Sequence, residues 1–111
     1  SLTIIMTANG VVTNPYIALE ETGEALKIGV NGIKDFTLEA EQKIEITTDV
    51  NNCTVYLIDN TGKKSNINNY LTSDSVFLRL KHGVNHLAYN AKSGVDNLTV
   101  SITFKNNYLR G

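Results

Sequence analysis

Alternation with a period of two dominates the chain. Leu98, Val100, Ile102 and Phe104 alternate with Thr99, Ser101, Thr103 and Lys105, which predicts a strand with an apolar face inward and a polar face in water. Val76, Leu78 and Leu80 alternate with Phe77, Arg79 and Lys81, predicting a strand over 76–81. Cys53, Val55 and Leu57 alternate with Thr54, Tyr56 and Ile58 in a run apolar enough to be covered on both faces. Ile44 and Ile46 flank Glu45, with Thr47 and Thr48 following; Leu26, Ile28 and Val30 share one face; Tyr16, Ala18 and Glu20 oppose Ile17, Leu19 and Glu21. The first run, 2–7, is apolar on both faces over Ile4-Ile5-Met6.

Turn residues punctuate these runs: Asn9-Gly10, Thr22-Gly23, Asn31-Gly32, Asn60-Thr61-Gly62, His82-Gly83 and Ser93-Gly94. Asn tolerates a positive φ and Gly favours it, so such pairs close hairpins and tight corners. Pro15 has no N–H for a ladder and is expected at a strand start or an edge. Two segments have helical character. Leu38 to Lys43 is too short to stand alone and reads as the turn before the Ile44 strand. Ser65 to Leu71 forms either one helical turn capped by Ser65 or a loop. The expected fold is all-β: about eight short strands in a two-sheet antiparallel sandwich.

Size and charge narrow the functions. A chain of 111 residues is expected to expose about 6,000 Å² when folded and to bury roughly two-thirds of its open-chain surface, enough for one core. That excludes most multidomain enzymes and predicts one domain over 1–111. With 41% hydrophobic and 19% charged residues, the chain reads as neither disordered nor membrane-inserted. Ten Lys and Arg stand against eleven Asp and Glu, so no basic excess is present to hold nucleic acid. The chain opens Ser1-Leu2-Thr3-Ile4 without a leader pattern, which suggests a strand met mid-chain and a piece of a longer protein. Cys53 has no partner for an intrachain disulfide and reads as a small buried hydrophobe.

Candidate chemistry is thin. His82 and His86 are four apart, but Gly83 turns the chain between them, so a helical metal pair is not expected. Asp59-Asn60-Thr61-Gly62 and Asp49-Val50-Asn51-Asn52 resemble parts of calcium loops without the terminal Glu, and read as turns. Glu20, Glu21 and Glu24, and Glu39, Glu41 and Glu45, read as solvated clusters rather than paired catalytic carboxylates. No catalytic, cofactor or metal residue is therefore expected. Sugar-binding sandwiches use polar groups around an aromatic platform; with no Trp, the candidates for a surface or ligand contact are Tyr70 and Tyr89, if the fold brings them together.

The order of motifs resembles the C-terminal domain of the siphophage distal tail protein family. Asn14-Pro15-Tyr16-Ile17 followed by Glu21-Thr22-Gly23 is similar to the family's opening hairpin. Leu38 to Thr48 is similar to its segment of leucine, turn and threonine-ended strand, and Val55-Tyr56-Leu57 with Asn60-Thr61-Gly62 to its next strand and turn. Ser75 to Asn85 carries the most specific piece, a Ser, an aromatic strand, a Leu and a Gly-x-Asn turn, and Leu98 to Phe104 with Tyr108-Leu109-Arg110 fits the usual ending. His82 stands where the family has Pro, and Thr47 where Asp is common. The resemblance implies a galectin-like or carbohydrate-module-like β-sandwich. It implies a full-length, homohexameric hub at the tail tip of a phage or prophage, made in the bacterial cytoplasm, with this module projecting to dock baseplate or receptor-binding proteins in host attachment. The isolated module is expected to be a monomer. The alternative is a carbohydrate-binding module for host-surface glycans, and a minor one is a bacterial surface or adhesin domain.

Overall fold

The computed structural model describes residues 2–29, 34–49, 52–80 and 83–104. Nine strands are present among them: β1 (Leu2–Ala8), β2 (Val12–Leu19), β3 (Ala25–Lys27), β4 (Thr37–Leu38), β5 (Lys43–Asp49), β6 (Asn52–Ile58), β7 (Lys64–Asn66), β8 (Leu87–Ser93) and β9 (Leu98–Phe104). They form two antiparallel sheets. The first has the order β7-β6-β5-β1-β9. In the second, β2 lies between β8 on one side and β3 and β4, end to end, on the other. The expected all-β sandwich is the observed fold.

One buried cluster joins the two sheets. Leu2, Ile4, Met6 and Ala8 of β1 and Ile44 and Ile46 of β5 meet Val12, Ile17 and Leu19 of β2 and Leu38 of β4. The period of two produces this directly, because alternate Cβ atoms leave opposite faces of a strand. Burying each such aliphatic side chain stabilises the fold by about 1.5–3 kcal/mol before ordering costs. Among the described side chains of β6 only Val55 is buried, and its neighbours on both faces are half-buried.

Several expectations change. The segment 76–81 is not a strand: within its described part only the Val76 N–H reaches a strand, donating to the Ala25 carbonyl at 2.9 Å. Leu78 is nevertheless buried, with Phe77 and Leu80 packed against the core, so the alternation marks anchoring without ladder pairing. Conversely, Leu87–Ser93 forms β8, although its polar composition hides any alternation. Ser65 lies in β7 and caps nothing; the helical turn is a 3₁₀ turn at Asn68–Tyr70, following Ile67 and lacking a side-chain cap. Leu38 ends β4, and Glu41, at φ 70°, turns the chain into β5. The Asn31-Gly32 turn, His82 and the Tyr108-Leu109-Arg110 ending lie outside the described residues.

Pro15 sits inside β2, not at its start or at an edge. Its place follows from a change of neighbour. β2 pairs with β4 through Val12 and Thr13, and with β3 from Tyr16 onward. Asn14, at φ 51°, lies at the junction. The Asn14 N–H donates to the Phe36 carbonyl at 2.9 Å, and the Pro15 carbonyl accepts from the Ile28 N–H at 3.2 Å. A residue's N–H and C=O leave a strand on the same side, so the donor that proline lacks falls at the gap between β4 and β3.

Candidate functional site

The outward face of the second sheet holds a groove of about 490 Å³. Ala18 and Ala25 make its low floor, Tyr16 its wall, and Lys27, Lys92 and Asn14 its rim. Small side chains between long ones create the depression. Each rim lysine has an acidic partner: Lys27 Nζ lies 3.2 Å from Asp74 and Lys92 Nζ 2.9 Å from Asp35. Hydrogen bonds, from Thr72 and then Lys27 to Asp74 and from Lys92 and then Asn14 to Asp35, hold both carboxyls below the usual aspartate range. These exposed pairs add little stability, but they leave the groove electrically balanced.

Asn14 builds the rim from below. Only 2% exposed, its Oδ1 accepts from the Phe36 N–H at 2.7 Å and its Nδ2 donates to Asp35 Oδ1 at 2.9 Å. Asparagine suits the site because it tolerates the left-handed backbone and satisfies the buried amide of Phe36. Gly29, at φ 84°, completes the junction. A Cβ there would lie 2.4 Å from both Asn14 Oδ1 and Phe36 Cβ.

The residues from Tyr70 to Val76 close the outer edge of β3. Gly29 N–H donates to the Tyr70 carbonyl at 2.6 Å, Ile28 bridges Leu71, and Thr72 N–H donates to the Lys27 carbonyl at 3.1 Å. The Ser75 hydroxyl acts as a backbone substitute, accepting from Lys27 N–H at 2.9 Å and donating to its carbonyl at 3.0 Å.

This arrangement separates the two candidate tyrosines. Tyr70 is half-buried on the β3 side of β2, its ring edge-on to Phe36 at 5.2 Å and within 6.0 Å of Lys34 Nζ. Tyr89 lies on β8, opposite Ile17, and is 44% exposed. No contact among the described residues joins them. Tyr16, the tyrosine in the groove, was not singled out by the sequence; its outward position opposite Lys27 and Asn90 depends on strand pairing.

The remaining candidates resolve into local structure. The His86 backbone N–H donates to Glu21 Oε1 at 2.9 Å, and its ring Nδ1 contacts Glu21 Oε2. Glu21 raises the His86 pKa, while the His86 N–H, followed by its ring, lowers that of Glu21. Asp59 accepts from the Thr61 hydroxyl and from the amides of Thr61 and Lys63, which makes it a turn staple and holds its carboxyl low. Glu45 pairs with Lys64 at 3.1 Å. Cys53 is half-buried, with Sγ 3.3 Å from the Asp49 carbonyl. Among the described residues no group of three or more His, Cys, Asp or Glu gathers to hold a metal, and no helix is long and apolar enough to cross a membrane.

Two longer strands have a single ladder each. β8 pairs only with β2 and β9 only with β1 among the described residues. Register with Ile4 and Leu2 places Ile102 and Phe104 on the inward face of the first sheet, yet they are 42% and 60% exposed. The expectation of an inward apolar face on this strand holds in direction; burial reaches only Leu98 and, in part, Val100. The second sheet does not cover the rest.

A family model described as the C-terminal domain of siphovirus-type tail components matches residues 1–108. No curated protein and no solved structure matches the chain.

Proposed function

The chain belongs to the family of siphovirus-type tail components, as their C-terminal domain, and from that premise we propose that it is a docking module of the tail-tip hub. The match, which runs through nearly all of the chain, carries this reading. A preceding domain of the full-length protein forms the hexameric ring, and this module projects from it. Its work is done by shape and surface: the balanced groove walled by Tyr16, and the sheet edges, receive baseplate or receptor-binding proteins during host attachment. In electron micrographs of the parent particle, a labelled antibody against this domain marks the tail tip. Label along the tube or on the head overturns the assignment.

A second reading is favoured by the groove itself. Its neutral rim and tyrosine wall suit a hydroxyl-rich, uncharged ligand such as a host-surface glycan. Titration of the folded chain with host wall polysaccharide shifts the Tyr16 resonances on this reading. Unchanged spectra at millimolar sugar remove it.

A further inference from the structure

We propose that β9 is a self-pairing edge, at which two copies of this chain join their first sheets into one ten-stranded sheet about a two-fold axis at Ser101. The inference stands on the sandwich alone and does not depend on the tail-tip reading.

A free sheet edge presents a row of unpaired N–H and C=O groups, and proteins blunt such rows with short strands, charges, proline or a covering segment. Three edges here are blunted. β7 has only three residues and begins with Lys64. β3 is covered by the segment from Tyr70 to Val76. β8 carries Lys92 and is otherwise short on large apolar groups. Among the described residues β9 has none of these devices. Its seven residues, Leu-Thr-Val-Ser-Ile-Thr-Phe, contain no charge, no proline and no glycine. Its register with β1 runs unbroken from Leu2↔Phe104 to Ala8↔Leu98, so no bulge twists the edge away.

The occupant follows from the pattern of this strand. When two copies of β9 pair antiparallel about Ser101, Leu98 lies beside Phe104 of the other copy and Val100 beside Ile102. Hydroxyl residues meet hydroxyl residues on the outer face. The exposed end of each strand therefore lands beside the covered end of its mate, and Ile102 and Phe104 gain the apolar neighbours that the second sheet does not supply. Cross-strand pairs of aromatic and aliphatic residues stabilise a sheet, and like charges directly opposite destabilise it. Along β9 no charge faces a charge, and each chain has a net charge of only −1. The even register keeps both apolar faces on the same side.

Sedimentation of the intact chain from micromolar to millimolar concentration tests the proposal. A reversible dimer is expected, with slowed amide exchange along β9 as concentration rises. Ser101 is exposed and sits on the axis, so Ser101→Lys or Ser101→Glu brings like charges together without disturbing the core. Each variant alone dimerises up to about fivefold more weakly, and an equimolar mixture of the two recovers the lost affinity. Ile102→Lys weakens the dimer further. A chain that stays monomeric at millimolar concentration overturns the proposal. So does a dimer that all three variants leave unchanged, because it would use another face.

Discussion

The two flanks of β2 solve the edge problem in opposite ways. On the β3–β4 side specific groups meet the backbone at the junction: Asn14 serves Phe36, Ser75 stands in for a strand, and Tyr70 receives Gly29. β8, on the other flank, and β9, at the edge of the first sheet, are longer, yet among the described residues each pairs on one side only and the Ile102–Phe104 end is exposed. Ordering irregular backbone around a junction demands specific groups, since a buried N–H without a partner costs about 1–3 kcal/mol. An open edge demands nothing of the monomer. The closed flank thus depends on particular side chains, and the open edges do not.

Substitutions can break that distinction. The largest effect is expected at Gly29. Gly29→Ala forces a Cβ against Asn14 and Phe36 in a left-handed backbone, costing about 3 kcal/mol and lowering the thermal midpoint by roughly 10–20 °C. Next comes Asn14→Ala, which strips the Phe36 amide of its side-chain acceptor and puts a less tolerant residue at positive φ. Denaturant unfolding should register a loss of about 2 kcal/mol. If either variant melts like the parent, the junction does not organise this flank.

On the open side, Ile102→Thr removes an apolar group that is already nearly half in water. Its cost measured on the monomer stays below about 1 kcal/mol. A loss equal to that of Asn14→Ala would erase the contrast between the flanks.

The smallest effect concerns His86, which ties the start of β8 to Glu21. Folding raises the His86 pKa, so its contribution is complete below the ordinary value of 6.5 and is lost as pH rises through the raised value. Folding lowers the Glu21 pKa, so its contribution is present above 4.5 and is lost as pH falls through the lowered value. Stability attributable to the pair therefore peaks between these limits and declines toward alkaline pH. Thermal midpoints followed from pH 5 to 9 should show this decline in the parent and a flatter profile in His86→Gln. A steeper profile in the variant would contradict the pairing.

The residues chosen for these tests also show what was legible in advance. β5 and β9 stand out because alternation of apolar with polar residues marks a half-buried strand, and β1 and β6 because their short apolar runs are bounded by turn residues. β8 does not, because an edge strand need satisfy only one neighbour and half a face, and so tolerates Ala, Asn and Lys. The run 76–81 misleads for the converse reason. Its apolar residues anchor in the core, but the edge of β3 is already occupied by the residues just before it. Tyr70 and Tyr89 were plausible partners by type, yet sequence carries no measure of which side of β2 each one takes.

By itself, then, the sequence determined the class of fold, the faces of its regular strands and the family, through local periodicity and the order of turns and strands. The tertiary structure alone decided where Pro15 finds its gap, which tyrosine enters the groove and which edge has no partner among the described residues. Those outcomes depend on which strands become neighbours, a long-range choice made by the joint packing of both sheets. No window of a few residues contains it.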